Sequence, residues 1–196
     1  GEVSPGGKLN ATWFKSVKDL PAITDYNLRR SSGNVGRTLW YFNQDVSYPF
    51  GYGLSYTTFA YSNARISKSA ITPNDKVTVS VDVTNTGDYN ADEVVQVYVA
   101  TPDSPAALER PAKRLKGFQR VTIPRGQTRT VDIEINCEDL WFWDMEANRM
   151  TYDQGRYVFE IGSSSQDIRA SVTANMSGSL KRSLKTVWAS CDASVL

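Results

Sequence analysis

The chain is 196 residues long, with 22 Lys and Arg against 21 Asp and Glu, two cysteines and no histidine. Nearly balanced charge spread along the chain leaves no basic footprint for nucleic acid or an anionic membrane surface, and no apolar run approaches the roughly 20 residues of a membrane helix. The absence of histidine excludes Ser-His-Asp and Cys-His catalysis and leaves only cysteine and carboxylate for a zinc site, so neither a metal nor any other cofactor is expected.

Residues 1–58 show no sustained period of two or of 3.6; Gly, Pro, Asn and Ser punctuate aromatic clusters. A stretch this long without its own secondary structure is unusual in a self-contained domain, so it is expected to lie against something larger. The start, Gly1-Glu2-Val3-Ser4-Pro5, has no basic region followed by an apolar stretch, and any export signal would lie outside this chain. Gly6-Gly7-Lys8 lacks phosphate-loop spacing, and Leu9 stands where the hydroxyl residue belongs.

The pattern changes at Phe59. A strand over residues 60–66 precedes Val77, Val79, Val81 and Val83, which alternate with Thr78, Ser80, Asp82 and Thr84 as in a half-buried strand. Asn85-Thr86-Gly87-Asp88 supplies turn chemistry, and residues 93–99 resume with Val95, Val97 and Val99 on one face against Val94, Gln96 and Tyr98. Residues 118–123 end at Pro124-Arg125-Gly126. Val131, Ile133 and Ile135 alternate with Asp132 and Glu134, Tyr157, Phe159 and Ile161 follow Gly155, and residues 168–174 close the series. About seven short strands with turns between them predict an all-β fold, an immunoglobulin-like antiparallel sandwich over 59–175 with no amphipathic helix of respectable length between Phe59 and Ala174. Residues 176–196 read as a linker or tail.

Glu138, Asp139, Asp144 and Glu146 around Trp141 and Trp143 form the densest acidic cluster, and aromatic rings beside carboxylates can hold and cleave sugars. Their place just after the strand ending at Ile135 fits a sheet-edge turn better, with Leu140, Trp141 or Phe142 in the core and the carboxylates solvated. Asp139 and Asp144 lack the spaced oxygen ligands of a calcium loop. Cys137 and Cys191 lie outside any C-x-x-C pattern, and both a disulfide and two free thiols stay open. Asn10-Ala11-Thr12 and Asn175-Met176-Ser177 are acceptor sequons without an assigned role.

The run Tyr48-Pro49-Phe50-Gly51-Tyr52-Gly53-Leu54-Ser55-Tyr56-Thr57-Thr58-Phe59 resembles the junction between the α/β-sandwich domain and the fibronectin type III-like domain of family 3 glycoside hydrolases. Asn85-Thr86-Gly87, residues 92–99, Arg110-Pro111, residues 115–121 and Gly162-Ser163-Ser164-Ser165 continue the resemblance in order, as does Ser4-Pro5-Gly6-Gly7-Lys8-Leu9 upstream. It covers roughly residues 4–174. The stretch 24–30 with Gly36-Arg37-Thr38 and Trp40-Tyr41-Phe42 looks more like the β-xylosidase branch than the β-glucosidase branch, although Arg30 replaces its proline and Leu39 its tyrosine.

The resemblance implies a parent O-glycosyl hydrolase acting on terminal β-linked sugars in carbohydrate breakdown, at an extracellular or periplasmic location. Its aspartate nucleophile and glutamate acid/base would lie earlier in the polypeptide, so no catalytic residue is expected here. The N-terminal catalytic domains of the same polypeptide are the expected partner, with the oligosaccharide substrate of the parent; neither nucleic acid nor membrane is expected. Residues 1–58 would be the end of the α/β-sandwich domain and the interdomain linker, with Tyr48, Phe50, Tyr52, Tyr56 and Phe59 in interdomain packing. Arg37, Trp40 and Tyr41 are candidates for an outer substrate subsite; against this, Arg37 can pair with a neighbouring carboxylate while Trp40 fills an interface. The alternatives are an autonomous carbohydrate-binding module, using Trp141, Trp143 and Tyr152 or the 40–42 cluster, and a cell-surface adhesion domain, which fold alone would allow.

Overall fold

Alternation between β-branched apolar and short polar residues dictates strands whose two faces differ in polarity. The computed structural model describes residues 2–31, 34–42, 44–104, 110–144 and 148–178. Among them, the strands in chain order are β1 (Trp13–Phe14), β2 (Val46–Tyr48), β3 (Phe59–Ile66), β4 (Ala70–Ile71), β5 (Lys76–Asn85), β6 (Ala91–Ala100), β7 (Arg114–Ile123), β8 (Thr128–Asn136), β9 (Phe142–Asp144), β10 (Arg149–Thr151), β11 (Gly155–Gly162) and β12 (Ile168–Met176). A single helical turn, α1 (Thr38–Tyr41), precedes β2.

Seven long strands make the sandwich. One sheet has the order β3-β5-β8, the other β4-β12-β11-β6-β7, with β4 parallel to β12 and every other neighbour antiparallel. The core is where the alternation puts it: Val77, Val79, Val81 and Val83 of β5 and Val131, Ile133 and Ile135 of β8 face Val95 and Val97 of β6 and Tyr157, Phe159 and Ile161 of β11. The Tyr157 hydroxyl reaches back 3.1 Å to the carbonyl of Asp153, the tyrosine corner of immunoglobulin-like sandwiches. Between Phe59 and Ala174 the described residues hold one short 3-10 turn, Cys137–Leu140, and Leu140 enters the core as expected of this sheet-edge turn.

Asn85 is fully buried at the end of β5, and its amide is satisfied on both sides. Its Oδ1 accepts from the Thr57 hydroxyl (2.6 Å) and the Gly87 amide (3.2 Å), while Nδ2 donates to the carbonyls of Tyr89 and Ile123, each at 2.8 Å. The turn signal Asn-Thr-Gly therefore also ties the preceding segment to the sandwich.

Asp75 holds the turn from β4 into β5. Its carboxylate takes hydrogen bonds from the Thr72 amide (2.8 Å) and hydroxyl (2.7 Å) and pairs with Lys68. The Lys68 bond foremost, then the Thr72 bonds, hold its pKa down at about 2 against an ordinary 3.8. A carboxyl whose folded pKa is depressed contributes stability above its unfolded pKa and loses it as the pH falls through the folded one. Asp75→Asn is thus expected to melt a few degrees below the parent chain at pH 7, with the gap closing between about pH 4 and pH 2. Melting curves across that range check it, and a gap constant with pH counts against it.

Burial raises the Cys137 thiol to about 11, with the Asp75 charge adding to the effect. Cys191 and Glu146 lie outside the described residues, as does the expected tail from 179 onward.

Candidate functional site

The segment before β3 gains its shape from the sandwich. Gln96 and Tyr98 point away from the core on β6, yet both are buried, because Phe50 and Gly51 cover them. Gln96 Nε2 donates to the Gly51 carbonyl (3.1 Å) and the Ser163 carbonyl (2.7 Å), and Tyr98 donates its hydroxyl to Gln96 Oε1 at 2.5 Å. The Ser165 amide donates to the Phe50 carbonyl (2.9 Å), and the Phe50 ring meets Tyr98 edge-on. Burial pushes the Tyr98 phenol well above its usual range. Gly51 adopts φ +80°, and an added Cβ would collide with Gln96 Oε1 and come within 2.8 Å of the Tyr98 hydroxyl.

The chain start is bound to the same place. Leu9 donates to the Tyr52 carbonyl and accepts from the Gly51 amide, both at 2.8 Å, and Lys8 reaches the buried Glu93 carboxylate at 3.1 Å. Beyond this neck, β1 and β2 pair antiparallel and present aromatic side chains: Trp13 meets Tyr48 edge-on, and Tyr48 lies 5.0 Å from Tyr52. Trp13, Tyr48, Leu54 and Tyr56 remain exposed, whereas Phe59 sits in the sandwich core.

The three residues marked for an outer subsite separate. Arg37 donates to the carbonyls of Ala22 and Asp25, holding the 22–37 loop closed on itself. Tyr41 is buried, and only Trp40 stands half-exposed. Asp25 accepts from the Asn27 amide and the Asn27 and Asn34 side chains, which together hold its carboxyl below the usual range, the Asn27 backbone bond foremost. Thr38 adopts φ +60°, an uncommon conformation for a β-branched residue.

Two clefts flank α1. One, of 410 Å³, is lined chiefly by apolar groups, including Phe14, Leu28, Trp40 and Phe50; the other, of 340 Å³, adds Gln44 from the segment before β2 and Lys113 and Gln166 from the sandwich side. Thr12, Thr38 and Leu39 line both.

The acidic cluster is built differently. Glu138 and Asp139 belong to the 3-10 turn, and their carbonyls take bonds from Tyr152 and Lys116. Trp141 packs on the core, Tyr152 is buried, and Trp143 alone is exposed on the β9–β10 hairpin, so these rings form no common sugar platform. Burial foremost lowers the Lys116 ammonium to about 8. Among the described residues, no group of three or more carboxylates and cysteines is placed to hold a metal ion.

Residues 93–165 match the family model of the fibronectin type III-like domain. A xylan 1,4-β-xylosidase of Xylanibacter ruminicola is 40% identical over 167 residues, covering 85% of this chain and 18% of that protein. A probable β-glucosidase K of Emericella nidulans is 37% identical, covering 86% of this chain and 20% of that protein. The crystal structure of a family 3 β-glucosidase from Bifidobacterium adolescentis superposes with a TM-score of 0.76 at 33% identity, over 90% of this chain and 26% of that one. The chain spans about a fifth of the length of the curated relatives it matches.

Proposed function

We propose, for a chain that belongs to the fibronectin type III-like C-terminal region of family 3 glycoside hydrolases, a non-catalytic accessory role in an enzyme that hydrolyses terminal β-linked sugars. The observation that carries this reading is the set of large apolar side chains Trp13, Tyr48, Leu54 and Tyr56, left exposed although the segment bearing them is anchored on the sandwich. Apolar groups held in water on a fixed support mark a contact surface. The partner is the catalytic portion of the same polypeptide, with residues 1–58 as the end of its α/β-sandwich domain and linker and residues 59–175 as the accessory domain. Tyr48, Phe50, Tyr52 and Tyr56 act in this contact, and Phe59 acts from the core as the first anchor of the sandwich.

A retaining glycosidase needs two carboxyl groups about 5 Å apart, one as nucleophile and one as acid/base. Three carboxylates of this region serve instead in ion pairs: Asp45 with Lys15, Glu93 with Lys8, and Asp92 with Arg120. The sugar favoured is a β-xyloside over a β-glucoside, on the resemblance of residues 24–42 to the β-xylosidase branch. The same reading gives the parent an extracellular or periplasmic setting.

Hydrolysis of aryl β-xyloside and aryl β-glucoside by this chain, alone and mixed with the N-terminal portion, tests the reading. Turnover only in the mixture, faster on the xyloside, is expected. Turnover by the chain alone overturns the accessory role, and faster glucoside cleavage overturns the choice of sugar.

A further inference from the structure

We infer that Asn175 is an acceptor for an N-linked glycan, a modification site on the sandwich at the end away from the anchored N-terminal segment. The inference rests on the extracellular setting proposed above, since a chain meets the glycan donor on the secretory route.

Asn175-Met176-Ser177 has the acceptor pattern, an asparagine followed two residues later by a hydroxyl with no proline between. The strand presents it outward. Ala174 and Met176 are buried in the core, so the alternation of β12 turns Asn175 to the opposite face, and Ser177 is exposed as well. The backbone is held without either side chain: the Asn175 amide donates to the Ser69 carbonyl (2.8 Å) and the Ser177 amide to the Ile71 carbonyl (2.9 Å). The Asn175 side chain makes no hydrogen bond to another described residue, whereas that of Asn85 is spent on both sides in holding a turn. Substitution at Asn175 Nδ2 therefore breaks no contact of the fold.

The surroundings leave room. In register with Asn175 stand Ala70 of β4, small and exposed, and Arg156 of β11, exposed and held by Asp103 through bonds of 2.8 and 2.9 Å. β12 starts at Ile168, beside the Gly162–Ser165 turn that holds Phe50 and Gly51. Seven residues of strand put Asn175 about 23 Å further on. A glycan there stands clear of Trp13, Tyr48, Leu54 and Tyr56 and beside β4, the two-residue edge of its sheet, where a hydrated oligosaccharide keeps another strand from adding. The second sequon lacks this setting: Asn10 follows Leu9 in the neck and lines the apolar cleft with Phe14 and Trp40.

The co-reactant is a lipid-pyrophosphate-linked oligosaccharide. Asn175 Nδ2 gives up a proton and bonds to the anomeric carbon of the donor, while the bond from that carbon to the pyrophosphate breaks and the pyrophosphate leaves with the electron pair.

The test is secretion of the full chain from a eukaryotic host as the Thr12→Ala variant, in which the Asn175 sequon alone remains. Mass spectrometry is expected to find a glycan on Asn175, released by peptide N-glycosidase with conversion of Asn175 to Asp. Adding Ser177→Ala is expected to abolish the glycan and Ser177→Thr to keep it. Both changes fall at an exposed position and leave the backbone bond to Ile71 in place, so loss of the glycan is not a failure to fold. The glycosylated chain is expected to melt within about 3 °C of the Ser177→Ala chain. A bare Asn175 in the secreted chain, a glycan that persists in Ser177→Ala, or a glycosylated chain melting below that margin overturns the site. If Asn175 stays bare while the mixture with the N-terminal portion hydrolyses aryl glycosides, the glycan falls and the accessory reading stands. A glycan at Asn175 on a chain that restores no hydrolysis leaves the site standing and counts against the accessory reading.

Discussion

Asp153→Ala is expected to destabilise the sandwich by about 3–5 kcal/mol, the cost of leaving a buried cation without its partner. Arg110 grips Asp153 through two bonds of 2.8 and 3.2 Å, and both side chains are almost wholly buried, at 10% and 7% exposure. Opposite, the Arg110 guanidinium lies over the Phe142 ring. Arg114 stands nearby, with its own charge already disfavoured, foremost by burial. Removing Asp153 therefore strands the Arg110 guanidinium and takes a favourable charge away from the neighbourhood of Arg114. The double variant Arg110→Met, Asp153→Leu is expected to lose less than Asp153→Ala alone, because it buries no unpaired charge. Urea unfolding of the three proteins checks the order, and a double variant weaker than the single one sinks the explanation.

Gly51→Ala is the second large effect. A residue other than glycine at φ +80° costs about 1–2 kcal/mol, and here the methyl group also strikes Gln96 and crowds Tyr98. The expected total is about 2–4 kcal/mol, released by lifting residues 49–51 off the sheet rather than by unfolding the core. Hydrogen exchange separates the two outcomes. The Ser165 amide, which donates to Phe50, should exchange much faster, while the β5–β8 amides keep their protection. Uniformly faster exchange would show that the segment and the sandwich unfold as one unit.

β5, β6, β8 and β11 were legible because they alternate over enough residues to outvote local exceptions, β5 residue by residue, while β3, β7 and β12 were read from the turn signals and spacing around them. The pairs β1–β2 and β9–β10 were not, since strands of two or three residues cannot display a period. Gln96 and Tyr98 show a subtler limit. Their alternation correctly put them on the face opposite Val95 and Val97, but alternation says nothing of what covers that face, and a segment far away in sequence does so. Arg37, Trp40 and Tyr41 were grouped by closeness in sequence, while a helical turn sends Tyr41 inward and the Trp40 ring outward.

The neck formed by Leu9 against Gly51 and Tyr52 makes the intervening residues 10–50 a cassette, closed at its base and hung on the sheet. Closing a loop costs free energy that grows only slowly with its length. Insertions or deletions within the cassette are then expected to leave the register of the sandwich beneath unchanged.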